Sequence, residues 1–314
     1  MNIKAFLKVV EIQTKVASVL PFIIGLLFAL YRYKTINIVN SIIFLISLLT
    51  IDMVTTSLNN YLDHKRAVVK EGYNYEEHNG IVSHGLTDIQ IRTTIALMLI
   101  IAISMGVWLV FRTDVIVLIV GSLSFIVGIL YSFGPIPISR TPLGEAFSGV
   151  IMGGLIIFMT IYIQIFQMDL VQLTIIESRV VFSFDIFEII SIGIIVLPMI
   201  AGISNIMLAN NMCDVEEDII NRRYTLVYYI GIKNGILLFR TLYYLSYITV
   251  LIAILTKILP YASLLVLFTF PVINKGINTF AKEQIKSTTF SISVKNFILF
   301  SLAMIISLLI SLLF

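Results

Sequence analysis

Long apolar runs, separated by short polar segments, dominate the chain from about residue 16 to its C-terminal end. The runs are roughly 17 to 25 residues long, which suits helices that cross a hydrocarbon layer about 30 Å thick. The strands of a membrane barrel would instead show short segments of alternating hydrophobicity. We therefore predict nine membrane-spanning helices, at residues 16–32, 37–60, 93–112, 114–132, 146–167, 186–210, 236–256, 258–274 and 295–314.

The composition excludes an ordinary soluble domain. Of the 314 residues, 59% are hydrophobic and 12% are charged, so too few polar side chains are present to cover a soluble core. The expected class is an all-α, multi-pass membrane protein surrounded by membrane lipids. The net charge of +3 and the lack of a long basic stretch give no support to a nucleic-acid partner. The one cysteine, Cys213, excludes an intrachain disulfide and a cysteine-based zinc site.

Lysine and arginine residues fall unevenly on the two sides of the predicted bundle. Of the 21, 16 lie in the N-terminal segment, in the loops after spans 2, 4, 6 and 8, or at the adjoining helix ends, and five lie on the other side. Positive charge concentrates in the cytoplasmic loops of membrane proteins. The expected location is therefore the cell membrane, with the N-terminus in the cytoplasm and the C-terminus outside.

A short polar pattern, Asn-Asn-x-x-Asp, occurs twice, each time at the end of an apolar run. It reads LNNYLD at Leu58 to Asp63 and ANNMCD at Ala209 to Asp214, 151 residues apart. Four predicted crossings separate the two copies, so both are expected on the cytoplasmic side. The segments that follow them, at about 64–92 and 214–235, are predicted to be loops that cover the site.

The repeat also predicts how the chain is organised. A spacing of four helices favours two halves of the same orientation, related by an axis normal to the membrane. The prediction is a single domain at 1–314, with halves at 16–132 and 146–274 and a ninth helix at 295–314.

The second copy continues into a run of acids, ANNMCDVEEDIINRR. On a helix Asp214 and Asp218 lie one turn apart, so their carboxylates share a face. Mg²⁺ prefers oxygen ligands and usually binds one or two carboxylates together with substrate phosphates. A solvated helix end at a membrane surface is the alternative, but the repetition in LNNYLD favours a metal site. The predicted metal ligands are Asn60, Asp63, Asp214 and Asp218.

Two such faces at one membrane surface predict metal ions that bridge a diphosphate and make it a better leaving group. Nearby amides and cations would complete the anion site, although each cation also fits a topology anchor. Tyr131 is a further catalytic candidate because an aromatic face stabilises a carbocation. Aromatic belts nevertheless occur in any membrane protein. The predicted substrate-binding residues are Lys15, Asn59, Asn60, Lys65, Arg66, Arg140, Asn210, Asn211 and Arg222.

Asp52 lies inside the second predicted span, roughly 16 Å deeper along a helix than Asp63. A carboxyl group at that depth is costly and normally faces the bundle interior or a cavity. Two interpretations stay open. Asp52 either belongs to an acceptor pocket or a proton relay, or is a neutral acid hydrogen-bonded to a neighbouring helix.

The paired motifs resemble those of the UbiA superfamily of intramembrane prenyltransferases. That family carries NDxxDxxxD and DxxxD motifs at the cytoplasmic ends of helices 2 and 6 of a nine-helix bundle. Here the second motif reads Asp214-x-x-x-Asp218, and the first, NNYLDHKRA, keeps Asp63. Asn60 and Ala67 stand where the family often has aspartates.

Within the superfamily, three segments are similar to the MenA branch, the 1,4-dihydroxy-2-naphthoate polyprenyltransferases. YSFGPIPISRTPLGE resembles the branch's YxxGPxxxxxxxLGE, and NNMCDVEEDIINRRYTL resembles its NNxRDxxxDxxxxKxTL. EIQTKVASVLPFIIG resembles RPKTLxxxxxPxxxG, with Glu11 in place of the arginine and Lys15 near the usual basic position. Cys213 likewise replaces an arginine.

The resemblance implies a UbiA-like bundle and Mg²⁺-dependent transfer of a polyprenyl group from its diphosphate to an aromatic acceptor. In the MenA branch the attacked ring carbon bears a carboxylate that leaves as carbon dioxide, which gives demethylmenaquinone in menaquinone biosynthesis. Three alternatives stay open. The acceptor is 4-hydroxybenzoate or haem, the chain is an ion-coupled transporter that binds its ion at Asp52, or it is a non-catalytic homologue.

Overall fold

The structure, a computed structural model, describes residues 1–66 and 84–313, with only the backbone at Asp63, His64, Arg66, Ile175 and Ile176. Within these residues, nine helical segments are long and apolar enough to cross a membrane, which confirms the predicted number. We number them as spans 1 to 9 in chain order: Ile12–Tyr33, Ile38–Leu62, Asp88–Arg112, Val115–Ser132, Gly144–Ile165, Ile186–Cys213, Leu226–Leu255, Tyr261–Lys282 and Phe290–Leu313.

Several spans combine helices of different pitch. The α-helices are Ile3–Val9, Val16–Tyr33, Ile38–Arg66, Asp88–Arg112, Val115–Ser132, Gly144–Ser148, Ile156–Ile165, Ile186–Cys213, Val215–Ile220, Leu226–Leu255, Phe270–Lys282 and Phe290–Leu313. Tighter 3₁₀ turns cover Ile12–Lys15, Ile138–Arg140 and Tyr261–Thr269, and a π-helical segment covers Gly149–Leu155.

Polar caps mark where several spans begin. The Thr87 side chain accepts a hydrogen bond from the Gln90 backbone and forms a capping box at the start of span 3. Asp114 and Asp185 accept backbone N–H bonds at the starts of spans 4 and 6. Such side chains satisfy amides that a helix cannot pair internally. The two aspartates are therefore helix-end charges.

The segment after the second motif differs from the prediction. The loop expected at 214–235 contains a short helix, Val215–Ile220, and span 7 begins at Leu226, ten residues earlier than predicted. Gly231 interrupts that helix with a φ of 75°, a conformation that glycine adopts at little cost. The prediction of one long loop here is wrong, because the break at Gly231 hides the helical turn that precedes it.

A β-hairpin, which the sequence analysis did not predict, joins spans 5 and 6. Strand β1 (Val171–Ile176) pairs antiparallel with strand β2 (Arg179–Phe184), with Val171 opposite Phe184. The turn residues Glu177 and Ser178 have φ values of 46° and 65°, as two-residue hairpin turns require. The hairpin lies at the end of the bundle opposite the motifs.

Close helix contacts position the motif end of the bundle. Span 6 packs against spans 5, 7 and 9, and span 1 packs against spans 5 and 9. A Cβ atom on Gly153 would lie 2.5 Å from the carbonyl oxygen of Met199, and one on Gly149 would lie 2.1 Å from Ser204 Oγ. Small residues four apart commonly allow membrane helices to approach closely. This approach places Glu145, one turn before Gly149, directly against span 6.

Candidate active site

A cavity of about 770 Å³ lies between the helices and reaches the first motif. Its polar lining includes Glu11, Asp52, Asn59, Asn60 and Tyr131. The rest is mostly apolar and comes from spans 1 to 6. Ligand pockets are typically apolar with a few placed polar groups, so this cavity suits a molecule with one polar end and a long apolar part.

The first motif is held by the N-terminal segment and by span 4. Asn59 Oδ1 accepts a hydrogen bond from Ser132 Oγ at 3.1 Å. Asn60 Nδ2 donates to the Val9 carbonyl at 3.1 Å and to Glu11 Oε1 at 3.0 Å. The side chains of the predicted residues Asp63 and Arg66 lie outside the described part of the structure, as does Ala67.

The second motif is held by a lysine from the segment between spans 8 and 9. Asn210 Nδ2 donates to Asp214 Oδ2 at 3.2 Å. Lys286 Nζ donates to Asn210 Oδ1 and also to Asp214 Oδ2, with which it forms an ion pair. Lys286 therefore places a positive charge on the predicted ligand face.

Asp218 lies one turn beyond Asp214 and is buried. Its Oδ1 atom is 3.3 Å from Arg223 Nε, and Oδ2 has no hydrogen-bond partner among the described residues. Burial raises the pKa of Asp218 to about 6, while the positive charge of Arg223 opposes the rise. A cation beside Asp218 would favour the carboxylate form.

The donor set fits Mg²⁺ bound together with a substrate phosphate. No three His, Cys, Asp or Glu side chains come together as a metal cluster in the described part of the chain. Asp214 and Asp218 supply two carboxylates, and the buried Asp218 Oδ2 lacks a partner. Mg²⁺ usually takes one or two protein carboxylates and completes its shell with phosphate and water.

A buried polar cluster, formed by Tyr131, Glu145 and Asn211, lies behind the second motif. Asn211 Nδ2 donates to Glu145 Oε1 at 2.8 Å, and both side chains are at most 4% exposed. The Tyr131 hydroxyl is buried near Glu145 and makes no regular hydrogen bond with the described residues. Asn211 thus turns into the protein interior, while its neighbour Asn210 faces Asp214.

Three of the predicted cations contact other groups. Lys65 Nζ pairs with Asp88 at 2.8 Å, and Arg140 Nη1 donates to the Asn221 carbonyl at 3.4 Å. Lys15 forms a buried ion pair with Asp52. Arg222 is exposed and has a left-handed backbone, with a φ of 56°. Its neighbour Arg223 is the arginine that pairs with Asp218.

The sequence analysis did not select Glu145, Arg223 or Lys286 as site residues. Glu145 could have been selected from the sequence, because a glutamate at the start of an apolar run needs a partner when it is buried. Arg223 follows Asp218 by five residues, but its neighbour Arg222 offered the same charge. Lys286 is distant in sequence, so only the packing of the bundle brings it to Asp214.

The model of the UbiA prenyltransferase family matches residues 18–298, which is most of the chain. The chain belongs to the UbiA prenyltransferase family. It is therefore a membrane-bound prenyltransferase, and the nine-span bundle is the fold of that family.

Known members of the UbiA family resemble the chain in sequence and in structure. It is 30% identical over 251 residues to the 1,4-dihydroxy-2-naphthoate octaprenyltransferase of Bacillus subtilis (strain 168), covering 78% of this chain and 71% of that protein. A UbiA homologue from Archaeoglobus fulgidus superposes with a TM-score of 0.66 at 12% identity, covering 99% of this chain and 100% of the other. The same homologue bound to GPP and Mg²⁺ superposes with a TM-score of 0.60 at 13% identity, with the same coverage.

Proposed function

We propose that this enzyme transfers a polyprenyl group from its diphosphate to 1,4-dihydroxy-2-naphthoate, with loss of carbon dioxide, to give demethylmenaquinol, the hydroquinone form of demethylmenaquinone. The identity of 30% with a naphthoate octaprenyltransferase supports this acceptor. The position of the cavity carries the proposal, because this mostly apolar cavity of about 770 Å³ extends from the first motif into the bundle. An isoprenoid tail fits the cavity, and its diphosphate then lies at the motif end.

Residues of both motifs would hold the diphosphate end of the donor. Asp63, Asp214 and Asp218, with the amide of Asn60, would bind Mg²⁺. A UbiA homologue solved with GPP and Mg²⁺ supports the use of this metal. When bound, Mg²⁺ neutralises diphosphate charge and makes diphosphate a better leaving group. Cations of the surrounding segments would contact the phosphate oxygens. These candidates are Lys65, Arg66, Arg140 and Arg222, and the amides are those of Asn59 and Asn210. Asn211, predicted to bind substrate, is instead buried against Glu145.

The chain's own residues also shape the reaction space. Tyr131 lines the cavity beside the motif end, where its ring would stabilise positive charge on the allylic carbon. The apolar lining would keep water from that carbon, which limits hydrolysis of the donor. The acceptor ring would then lie between Tyr131 and the deeper polar group at Asp52.

Prenylation of a defined acceptor tests the proposal. Protein purified in lipid nanodiscs would be supplied with Mg²⁺, a labelled polyprenyl diphosphate and, separately, 1,4-dihydroxy-2-naphthoate, 4-hydroxybenzoate or haem. Mass spectrometry should detect the decarboxylated product from the naphthoate. Chelation of Mg²⁺, Asp214→Ala and Asp63→Ala should each remove it, and Lys257→Ala, at the opposite end of the bundle, should leave it unchanged. Preference for another acceptor would exclude the naphthoate assignment, and full activity in both aspartate variants would exclude the metal site.

We also propose that the motif end faces the cytoplasm from the cell membrane, because most lysines and arginines lie at that end. The single cysteine allows a direct test. In a Cys213→Ser background, Lys257→Cys and Arg222→Cys would each carry one thiol at opposite ends of the bundle. A membrane-impermeant maleimide should label intact cells through position 257 and leave position 222 unlabelled. The reverse pattern would invert the topology.

A further inference from the structure

The ion pair between Lys15 and Asp52 is nearly shielded from solvent. Lys15 Nζ lies 2.6 Å from Asp52 Oδ1, and the two side chains are 5% and 10% exposed. Lys15 Nζ also donates to Thr56 Oγ1 at 2.7 Å and to the Asp52 backbone carbonyl at 3.3 Å. An ammonium group has three N–H donors, so the protein itself supplies a partner for each one. Lys15 therefore has no donor left for a bound anion.

Unlike Lys15, Asp52 has hydrogen-bonding capacity left for a ligand, because some of its acceptor sites are unused and it lines the cavity. Its Oδ1 accepts from Lys15, and its Oδ2 accepts from Ser18 Oγ at 2.6 Å. A carboxylate offers about four lone-pair sites, so about two stay available in a residue that lines the cavity. Among the described residues that line this space, the charged ones are Glu11 and Asp52. The cavity thus presents hydrogen-bond acceptors to a ligand at this depth.

The complementary ligand group is a hydrogen-bond donor. Asp52 lies about 10 Å below Asn59 by helical rise, so a ring placed between them would have one edge near the motif end. Its hydroxyl would then point to Asp52. A carboxylate on the ring would find no free ammonium group at Lys15. The hydroxyl is therefore the acceptor group that the Asp52 carboxylate recognises.

We propose that Asp52 is a catalytic residue that binds the acceptor hydroxyl next to the attacked carbon and holds its proton during the reaction. This inference rests on the proposed function. The ring carbon forms a bond to the first prenyl carbon, and the bond from that carbon to diphosphate breaks, with its electron pair leaving on diphosphate. The hydroxyl proton passes to Asp52, which leaves a ketone beside the attacked carbon.

The same residue then completes the cycle. The carboxylate on the attacked carbon leaves as carbon dioxide, and its bonding electrons restore the aromatic ring with a negative oxygen. Asp52 returns the proton to that oxygen, so the carboxylate is regenerated. Lys15 and Ser18 act as positioning residues, because their hydrogen bonds hold Asp52 in one orientation.

A double substitution tests whether Asp52 acts on the acceptor or only neutralises the charge of Lys15. Asp52→Asn alone leaves Lys15 buried without its counter-ion, so it should lower both the thermal midpoint and the prenylation rate. Lys15→Met combined with Asp52→Asn removes both charges and should restore the thermal midpoint. The rate should stay at least about 100-fold below wild type, since proton transfer by a positioned side chain typically contributes that much or more.

A matched control is a second ion pair at the opposite end of the bundle. Arg32 Nη2 lies 2.6 Å from Glu188 Oε1, and neither residue lines the cavity. Arg32→Met combined with Glu188→Gln should keep the wild-type rate. A substrate with the hydroxyl methylated provides a further readout. Wild type should strongly prefer the free hydroxyl, and the Lys15→Met, Asp52→Asn double variant should lose that preference.

The outcomes are distinguishable. Recovery of the wild-type rate in the Lys15→Met, Asp52→Asn variant would overturn the inference, because Asp52 would then only neutralise Lys15. An unchanged preference for the free hydroxyl in that variant would also overturn it. If the wild-type protein prenylates none of the tested acids, the proposed function itself fails, whatever the variants do.

Discussion

Each of the two proposed halves of the bundle contains the same asparagine–glutamate contact, in two different environments. In the first half Asn60 Nδ2 donates to Glu11 Oε1 at 3.0 Å, and in the second Asn211 Nδ2 donates to Glu145 Oε1 at 2.8 Å. Asn60 and Asn211 hold equivalent positions in the repeated motif, and each glutamate lies at the entrance to the first span of its half. The first pair lines the cavity, whereas the second pair is buried.

Asn59 and Asn210, the first asparagines of the two motifs, each accept a hydrogen bond from a side chain of another segment. Asn59 Oδ1 accepts from Ser132 at the end of span 4, and Asn210 Oδ1 accepts from Lys286 after span 8. Parallel contacts at equivalent positions support the proposal of two four-span halves.

The halves differ most one turn after each glutamate. In the first half Lys15, four residues after Glu11, pairs with Asp52 beside the cavity. In the second half Gly149, four residues after Glu145, lies so close to span 6 that a Cβ would be 2.1 Å from Ser204 Oγ. The second half is tightly packed where the first half opens. The packing is therefore tight beside the second motif, and the cavity opens beside the first.

Breaking the buried pair should have the largest effect on stability. Asn211→Leu leaves the Glu145 carboxylate buried without its donor, which costs about 3 kcal/mol in free energy of unfolding. Asn60→Leu affects a half-buried pair and should cost below about 1 kcal/mol. Thermal unfolding in the same detergent compares the two. Equal destabilisation would show that the two environments do not differ as described.

Filling the close contact of the second half should have the next largest effect. Gly149→Ala forces a methyl group against Ser204 Oγ and the Ile200 carbonyl, 2.1 and 2.7 Å from its Cβ. Overpacking of this kind typically costs about 1–3 kcal/mol. Gly193→Ala, with no atom within 4 Å of the added Cβ, is the matched control. A thermal midpoint as high as that of the control would contradict the tight packing of spans 5 and 6.

Changing the charge of the Asn60–Glu11 pair should change the affinity for Mg²⁺. Asn60→Asp adds a carboxylate to a predicted ligand position but places it beside Glu11, which repels it. With Glu11→Gln also present, the added charge should raise the affinity for Mg²⁺ on the order of tenfold. Calorimetric titration of Mg²⁺ with a non-reactive diphosphate analogue measures this. No gain in the double variant would remove Asn60 from the ligand set.

Removing the lysine from the second motif should have the smallest effect. Lys286 is 43% exposed and its partner Asp214 is 19% exposed, and pairs near the surface contribute about 0.2–1 kcal/mol. Lys286→Met should therefore raise the affinity for Mg²⁺ about twofold to fivefold in the absence of diphosphate. Calorimetric titration of Mg²⁺ without the diphosphate analogue checks this, with Lys282→Met as the control. Weaker binding in Lys286→Met would show that the lysine supports the metal site.

Much of the fold was predictable because helix length and hydrophobicity are local properties. Span 4, predicted at 114–132, is Val115–Ser132, and span 6, predicted at 186–210, is Ile186–Cys213. The start of span 7 was missed because Gly231 interrupts the pattern. The hairpin between spans 5 and 6 was missed because its strands are short, and only their pairing distinguishes them from a loop.

Less of the site was predictable. Asn210 and Asn211 are neighbours and were assigned the same role, yet one faces Asp214 and the other faces Glu145. Neighbouring residues on a helix point about 100° apart, so the rotation of span 6 in the bundle decides which asparagine meets the ligand. Arg222 and Arg223 differ in the same way, since the left-handed backbone at Arg222 turns one side chain outward.

The sequence by itself determined the number of spans found in the described residues, the end of the bundle that both motifs share, and the one-turn spacing of Asp214 and Asp218. These follow from the length of apolar runs, the parity of crossings and the pitch of a helix. Only the tertiary structure decided which polar groups pair. Lys15 and Asp52 are 37 residues apart, Glu145 and Asn211 are 66 apart, and Asp214 and Lys286 are 72 apart. Pairing at such separations depends on how closely helices approach and how they are rotated, and the packing of small residues between spans sets both.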